Sequence, residues 1–188
     1  MIEFIPETHT YLVDGVIVPS VTEILSVRFG HKYDAVSPAV LRRAAAQGTQ
    51  VHEAIEAYCK TGAESDLPEV RNFKFLQTKY GFTVKGNEQI VLISDGETPV
   101  AAGRFDLVLE MDGKIGGADI KRTSALDREY LAYQLNIYRI GYRQTYGAEW
   151  EFLRGIHLRE NTRRFVDIPI NEQAAWEIIS EWRKENDK

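Results

Sequence analysis

Apolar positions recur along this chain in two rhythms, every second residue in some stretches and every third or fourth in others. Two short apolar runs, Tyr11-Leu12-Val13 and Val16-Ile17-Val18, flank Asp14-Gly15. That dipeptide tolerates the positive φ angles of a tight turn, so residues 4–18 read as a hairpin, ended by Pro19. Ser20-Val21-Thr22-Glu23 is a capping box and predicts a short helix over residues 21–27. Ser37 as N-cap and Pro38 at the first helical position open a longer helix, which crosses Gly48 and ends near Gly62. Another helix covers residues 69–80, closed by Gly81.

From there the rhythm shortens. Residues 82–85, 89–94, 100–110 and 114–121 read as consecutive strands, with turns at Gly96 and Asp112-Gly113. A helical period returns over residues 127–146, where Leu131, Leu135, Tyr138 and Tyr142 share a stripe and Gly147 is the stop. Residues 149–158 and 164–168 form two more strands around a polar turn at Glu160-Asn161-Thr162. Asn171 caps a last helix, with Trp176, Ile179 and Trp182 on its packing face. Residues 1–188 thus read as one α/β domain with a central mixed sheet flanked by helices. It divides into an N-terminal hairpin and short helix (1–36), a core (37–147), and C-terminal strands and helix (148–188).

Composition narrows the class. A chain of 188 residues with 44% hydrophobic and 27% charged content can bury a sizeable core. The one cysteine, Cys59, excludes an internal disulfide framework and a four-cysteine zinc or iron–sulfur site. No apolar run approaches the roughly 18 residues of a membrane span. The acidic, proline-containing start is not that of a signal or transit peptide, so a cytoplasmic setting is expected. A net charge of −5 speaks against a generic nucleic-acid coat, although metal-binding carboxylates enter that sum as negative. Basic residues cluster at Arg28, His31 and Lys32, at Arg42 and Arg43, and at Lys121, Arg122 and Arg128; each alone reads as a solvated surface charge.

The candidate chemistry lies in the middle of the chain. Gly103-Arg104-Phe105-Asp106 is followed thirteen residues later by Asp119-Ile120-Lys121, each in an apolar run. Adjacent strands would bring Asp106 and Asp119 to one point, with Lys121 on the same face as Asp119. Two carboxylates suit a hard divalent cation, and a lysine beside a metal and a phosphate can orient water and neutralise charge. Alone, Asp106 reads equally as a strand-end turn residue, and Asp-x-Lys is a common spacing. His52 and Glu56 share a helical face; alone, His52 reads first as structural and Glu53 and Glu56 as solvent-facing. Gly48, inside the same helix, points to a close approach by a strand or a substrate backbone. Gln134 and Tyr138 share a face of the helix after Lys121. Glu88 reads as an edge or surface group, with a place near the site as the alternative.

Taken in order, Gly48-x3-His52-x3-Glu56, Gly103-x2-Asp106, Asp119-x-Lys121 and Gln134-x3-Tyr138 resemble the motifs of the PD-(D/E)XK nuclease superfamily, and within it the RecB-like exonuclease branch. The motifs cover residues 48–138, about half the chain. The opening Thr10-Tyr11-Leu12-Val13-Asp14-Gly15 with Pro19-Ser20-Val21-Thr22 resembles the leader of small phage-type members. Ala118 stands where the superfamily's name has proline.

The resemblance implies a restriction-endonuclease-like core. It implies Mg²⁺ or Mn²⁺ on His52, Asp106, Asp119 and the backbone carbonyl of Ile120, with Glu56 as a weaker ligand. Lys121 would position or activate the attacking water, and Gln134 and Tyr138 would complete the site. Arg42, Arg43, Arg104, Arg122 and Tyr138 are the DNA-binding candidates. With Cys59 alone, no iron–sulfur cluster of the kind some RecB-like members carry is expected. The expected activity is a metal-dependent DNA exonuclease acting on linear ends in recombination, repair or phage DNA processing, in a bacterial or phage-encoded setting. A recombinase, an annealing protein or a helicase is the implied protein partner. A flap- or junction-selective endonuclease and a catalytically silent DNA-binding module of the same fold are the alternatives.

Overall fold

The computed structural model describes residues 2–186. Three short antiparallel strands come first: β1 (Ile2–Ile5), β2 (Thr10–Val13) and β3 (Val16–Val18). The hairpin forms as expected, with Asp14 and Gly15 both at positive φ, and β1 adds a third strand to it. The main-chain N–H of Ala102 donates to Pro19 O at 2.9 Å, which ties this small sheet to the main one.

Helix α1 (Val21–Phe29) begins at the capping box: Ser20 Oγ accepts the Glu23 N–H at 3.1 Å, and the Glu23 carboxylate accepts the Ser20 N–H at 2.7 Å. A 3₁₀ turn (Gly30–Tyr33) then leads to α2 (Pro38–Thr61) and α3 (Pro68–Tyr80). Both helices end on a left-handed glycine, Gly62 and Gly81, where a side chain would be strained.

The main sheet has five strands in the order β4-β5-β6-β7-β8. They are β4 (Thr83–Asp95), β5 (Thr98–Met111), β6 (Lys114–Lys121), β7 (Phe152–Arg159) and β8 (Thr162–Ile168). β6 and β7 run parallel and the other neighbours antiparallel, so the sheet is mixed. The parallel pair is bridged by α4 (Arg128–Tyr146), capped by Asp127 and closed by Gly147. The chain ends on α5 (Glu172–Asn186). Helices cover both faces. Helices α1, α4 and α5 share one core with Phe105, Trp150 and Leu153; α2 and α3 share the other with Leu107, Leu109 and Ile156.

Two details depart from the sequence reading. Residues 82–85 and 89–94 do not form separate strands; β4 runs through them, absorbing the irregularity as a bulge between Val84 and Gly86. Strand β5 also changes phase. Phe105 lies in the first core, whereas Leu107 and Leu109, at the same parity, lie in the second. The alternation therefore skips at Asp106, and Glu88, opposite it on β4, has a φ of 48°.

Candidate metal centre

The register places three carboxylates in a row. Asn87 pairs Leu107 and Gln89 pairs Phe105, so Glu88 faces Asp106; Leu107 pairs Ala118, so Asp106 faces Asp119. The row crosses β4, β5 and β6 where the face alternation skips. Helix α2 lays His52 over it. His52 Nδ1 lies 3.5 Å from Asp106 Oδ1 and 3.7 Å from Glu88 Oε1, and Nε2 lies 3.0 Å from the Ile120 carbonyl. Asp106 also accepts the Ile120 N–H at 2.6 Å, which fixes its carboxylate against β6.

Lys121 closes the other side, its Nζ 2.7 Å from Asp119 Oδ2. Gln134 and Tyr138 of α4 line the same cleft, which has a volume of about 470 Å³. Gly103 makes room there: a Cβ at that position would lie 2.7 Å from Tyr138 Cε1 and 2.9 Å from Val21 Cγ2.

The electrostatics follow from crowding acids in a buried place. Burial alone would depress the His52 imidazole, but Asp106, helped by Glu88 and Asp119, raises its pKa to about 11. Burial pushes the Asp106 carboxyl up, yet His52 and Lys121 outweigh it and hold the pKa below the ordinary value. Asp119 moves the other way, to about 6, because burial and neighbouring Asp106 exceed the pull of Lys121. Lys121, despite its burial, stays charged beside Asp119 and Asp106. Burial raises the Tyr138 phenol well above its ordinary value, so it remains a neutral hydrogen-bonding group.

A divalent cation fits these donors, provided it displaces the proton that the carboxylates hold on His52. His52, Glu88 and Asp106 offer ligand atoms all within 4.8 Å of one another. Asp119 Oδ2 has the Lys121 ammonium at ion-pair distance but accepts no well-aligned hydrogen bond, and Gln134 Oε1 is buried without a hydrogen-bond partner. Under-satisfied buried oxygens are costly, and a cation would satisfy them. Oxygen donors with one imidazole suit a divalent cation.

The structure thus brings together His52, Asp106, Asp119, Lys121, Gln134 and Tyr138, with the Ile120 carbonyl beside them. Glu56 lines the cleft but pairs with Lys60, and Glu53 sits at its exposed rim. Arg104 also lines it, its Nε 2.8 Å from Glu88 Oε2. Arg42 and Arg43 lie outside, on the exposed first half of α2. Arg122 turns away, donating to Glu69 at 2.8 Å and Gln47 at 2.9 Å.

Gly48 lines the cleft, and a Cβ added to it would meet nothing within 4 Å, so no strand approaches it. Glu88 is the residue that sequence reasoning places elsewhere. The apparent break at Gly86 hides the continuity of β4; counted through, its register sets Glu88 opposite Asp106. The wall contributed by His9, Tyr11, Ser20, Val21 and Thr22 is a further addition, although most of it falls in the segment that carries the leader resemblance.

No protein-family model matches this chain, and no curated protein matches it in sequence. Among solved structures, the crystal structure of SSO0001 is similar with a TM-score of 0.51 and 17% identity, over 90% of this chain and 76% of that one. At that identity the likeness is one of fold. The arrangement is an α/β fold with a mixed five-stranded sheet between helices.

Proposed function

We propose that this protein is a metal-dependent deoxyribonuclease of the RecB-like branch of the PD-(D/E)XK superfamily, with a restriction-endonuclease-like core, and that it acts as an exonuclease. The observation that carries the reading is the convergence of one carboxylate row, an imidazole and a lysine, from α2, β4, β5 and β6, on a single cleft. The four motif segments are separated along the chain, so their meeting is a property of the fold.

His52, Glu88, Asp106 and Asp119 would hold Mg²⁺ or Mn²⁺, which when bound lowers the pKa of water and offsets charge at phosphorus. Lys121, as an ammonium, orients a water by hydrogen bonding and neutralises charge developing on a non-bridging phosphate oxygen. Gln134 and Tyr138 supply neutral hydrogen bonds from α4 that fix the phosphodiester relative to Lys121. Arg104, at the rim, would take the phosphate of a neighbouring nucleotide, a contact that positions the strand and carries no sequence information.

The test is a gel assay on end-labelled linear single- and double-stranded DNA with Mg²⁺, Mn²⁺ or EDTA, comparing wild type with Lys121→Ala. Metal-dependent shortening that disappears in the variant is the expected result. No cleavage with any metal would overturn the reading. A closed single-stranded circle left intact separates an exonuclease from an endonuclease.

A further inference from the structure

A second cavity lies behind Lys121. It has a volume of about 230 Å³, and Lys121 lines both it and the main cleft. Its walls are aromatic: Phe29 from the end of α1 and Tyr130 from the first turn of α4, with ring centroids 5.3 Å apart and planes at 76°. Both rings are half-buried, anchored on the core while leaving a surface in the pocket. The Lys121 ammonium lies 5.7 Å from the Tyr130 ring centroid, so the group beside the candidate metal centre also borders this aromatic floor.

The polar groups at the rim serve each other. Lys32 pairs with Asp127, Asp127 accepts the Tyr130 N–H at 2.9 Å, and the Thr123 hydroxyl donates to Ala125 O at 2.7 Å. The pocket therefore offers ring faces and apolar surface, with its charged side chains already compensated. Its size admits one planar heterocycle.

On the nuclease reading above, the nucleotide flanking the phosphate at Lys121 has this pocket within reach, because Lys121 lines both cavities. We infer that this pocket seats the unpaired base of the terminal nucleotide, stacked on Tyr130 with Phe29 meeting it edge-on. The substrate is then a single-stranded or frayed DNA end. Because the pocket stacks the base without reading its edge, all four bases are accepted.

The experiment uses the intact protein and two single-stranded oligonucleotides, identical except that one carries an abasic terminal nucleotide, tested at each end. Base–aromatic stacking predicts a kcat/KM about tenfold or more lower on the abasic end for wild type. That preference should collapse towards unity in Tyr130→Ala and persist in Tyr130→Phe, with circular dichroism confirming that both variants fold. In parallel, a terminal 2-aminopurine should be quenched on binding in Ca²⁺ by wild type and Tyr130→Phe, and not by Tyr130→Ala. Cleavage with equal rates on both ends in wild type overturns the base pocket and leaves the nuclease. Quenching without cleavage in Mg²⁺ or Mn²⁺ overturns the nuclease and leaves the pocket; neither signal overturns both.

Discussion

Lys121 reaches back along its own strand to Asp119 and sets its Nζ 2.7 Å from Oδ2, while only 2% of the aspartate side chain meets solvent. The two residues are on one face because β6 alternates with period two, and the strand ends immediately afterwards, where the sheet opens into the cleft. Held this way, the ammonium and the buried carboxylate each offset the other's desolvation.

Lys121→Ala should therefore do two separable things. Activity should fall by roughly 10²–10³-fold, the scale for losing one preorganised charge-stabilising donor. Stability in metal-free buffer should fall by about 3 kcal/mol, because Asp119 is left buried without its partner. Mn²⁺ should recover part of that stability by replacing the lost positive charge. Urea unfolding with and without Mn²⁺ checks it; a variant as stable as wild type in both conditions would contradict the buried pairing.

Glu88→Gln keeps the shape of the side chain and removes its charge. Its carboxylate is 18% exposed, lies 3.7 Å from His52 Nδ1 and pairs with Arg104 at 2.8 Å. If Glu88 belongs to the metal site, the Mn²⁺ dissociation constant should rise by about 10–100-fold. Calorimetric titration reads this directly, and an isotherm superimposable on wild type removes Glu88 from the ligand set.

Asp127 caps α4, the helix that delivers Gln134 and Tyr138. Its Oδ1 accepts the Tyr130 N–H at 2.9 Å and it pairs with Lys32. Asp127→Ala should cost about 1 kcal/mol. For a domain of this size that lowers the thermal midpoint by roughly 2–4 °C. Asp127→Asn, which keeps a capping oxygen, should lose less; differential scanning calorimetry of the pair decides between cap and charge.

Acid should erode the Arg143–Glu172 pair at the surface. The hydrogen bond from Arg143, 2.6 Å from Glu172 Oε1, holds the Glu172 carboxyl below its ordinary value of 4.5. A carboxylate with a lowered folded pKa stabilises fully above 4.5, and that contribution disappears as pH falls through the folded value. The group is partly exposed, so salt weakens the effect. Urea midpoints of wild type and Glu172→Gln should differ at pH 6 and draw together as pH falls below 4.5; parallel curves throughout would sink the assignment.

Much of this is legible in the residues. Caps and stops carry the helices: Ser20, Ser37 and Asn171 mark starts, and Gly62, Gly81 and Gly147 mark ends, each through a local hydrogen bond or a left-handed backbone. The apolar stripe of Leu131, Leu135 and Tyr138 faces the core as its period requires. The meeting of Asp106 with Asp119 is legible because both strands share one turn at Asp112-Gly113, which sets their register. What the residues hide is non-local or irregular. Glu88 depends on a bulge that leaves no clear sequence mark, and the phase change at Asp106 is imposed by packing on two cores. Arg122 reads as a free cation until α2 and α3 bring Gln47 and Glu69 against it.

Helix α2 is supported at one end only. Residues 38–46 are all exposed, whereas Val51 and Ile55 are buried against α3 and the sheet. It is built as a cantilever, clamped where His52 sits and free for its first turns. A helical segment with no packing partner is marginal in water. Its amides should exchange with deuterium on the scale of local fraying, while those of residues 51–58 wait for global opening. A uniform exchange rate along the helix would refute this. The first turns, which carry Arg42 outside the cleft, can thus bend and re-form while the imidazole stays at its post, so compliance and precision coexist in one rod.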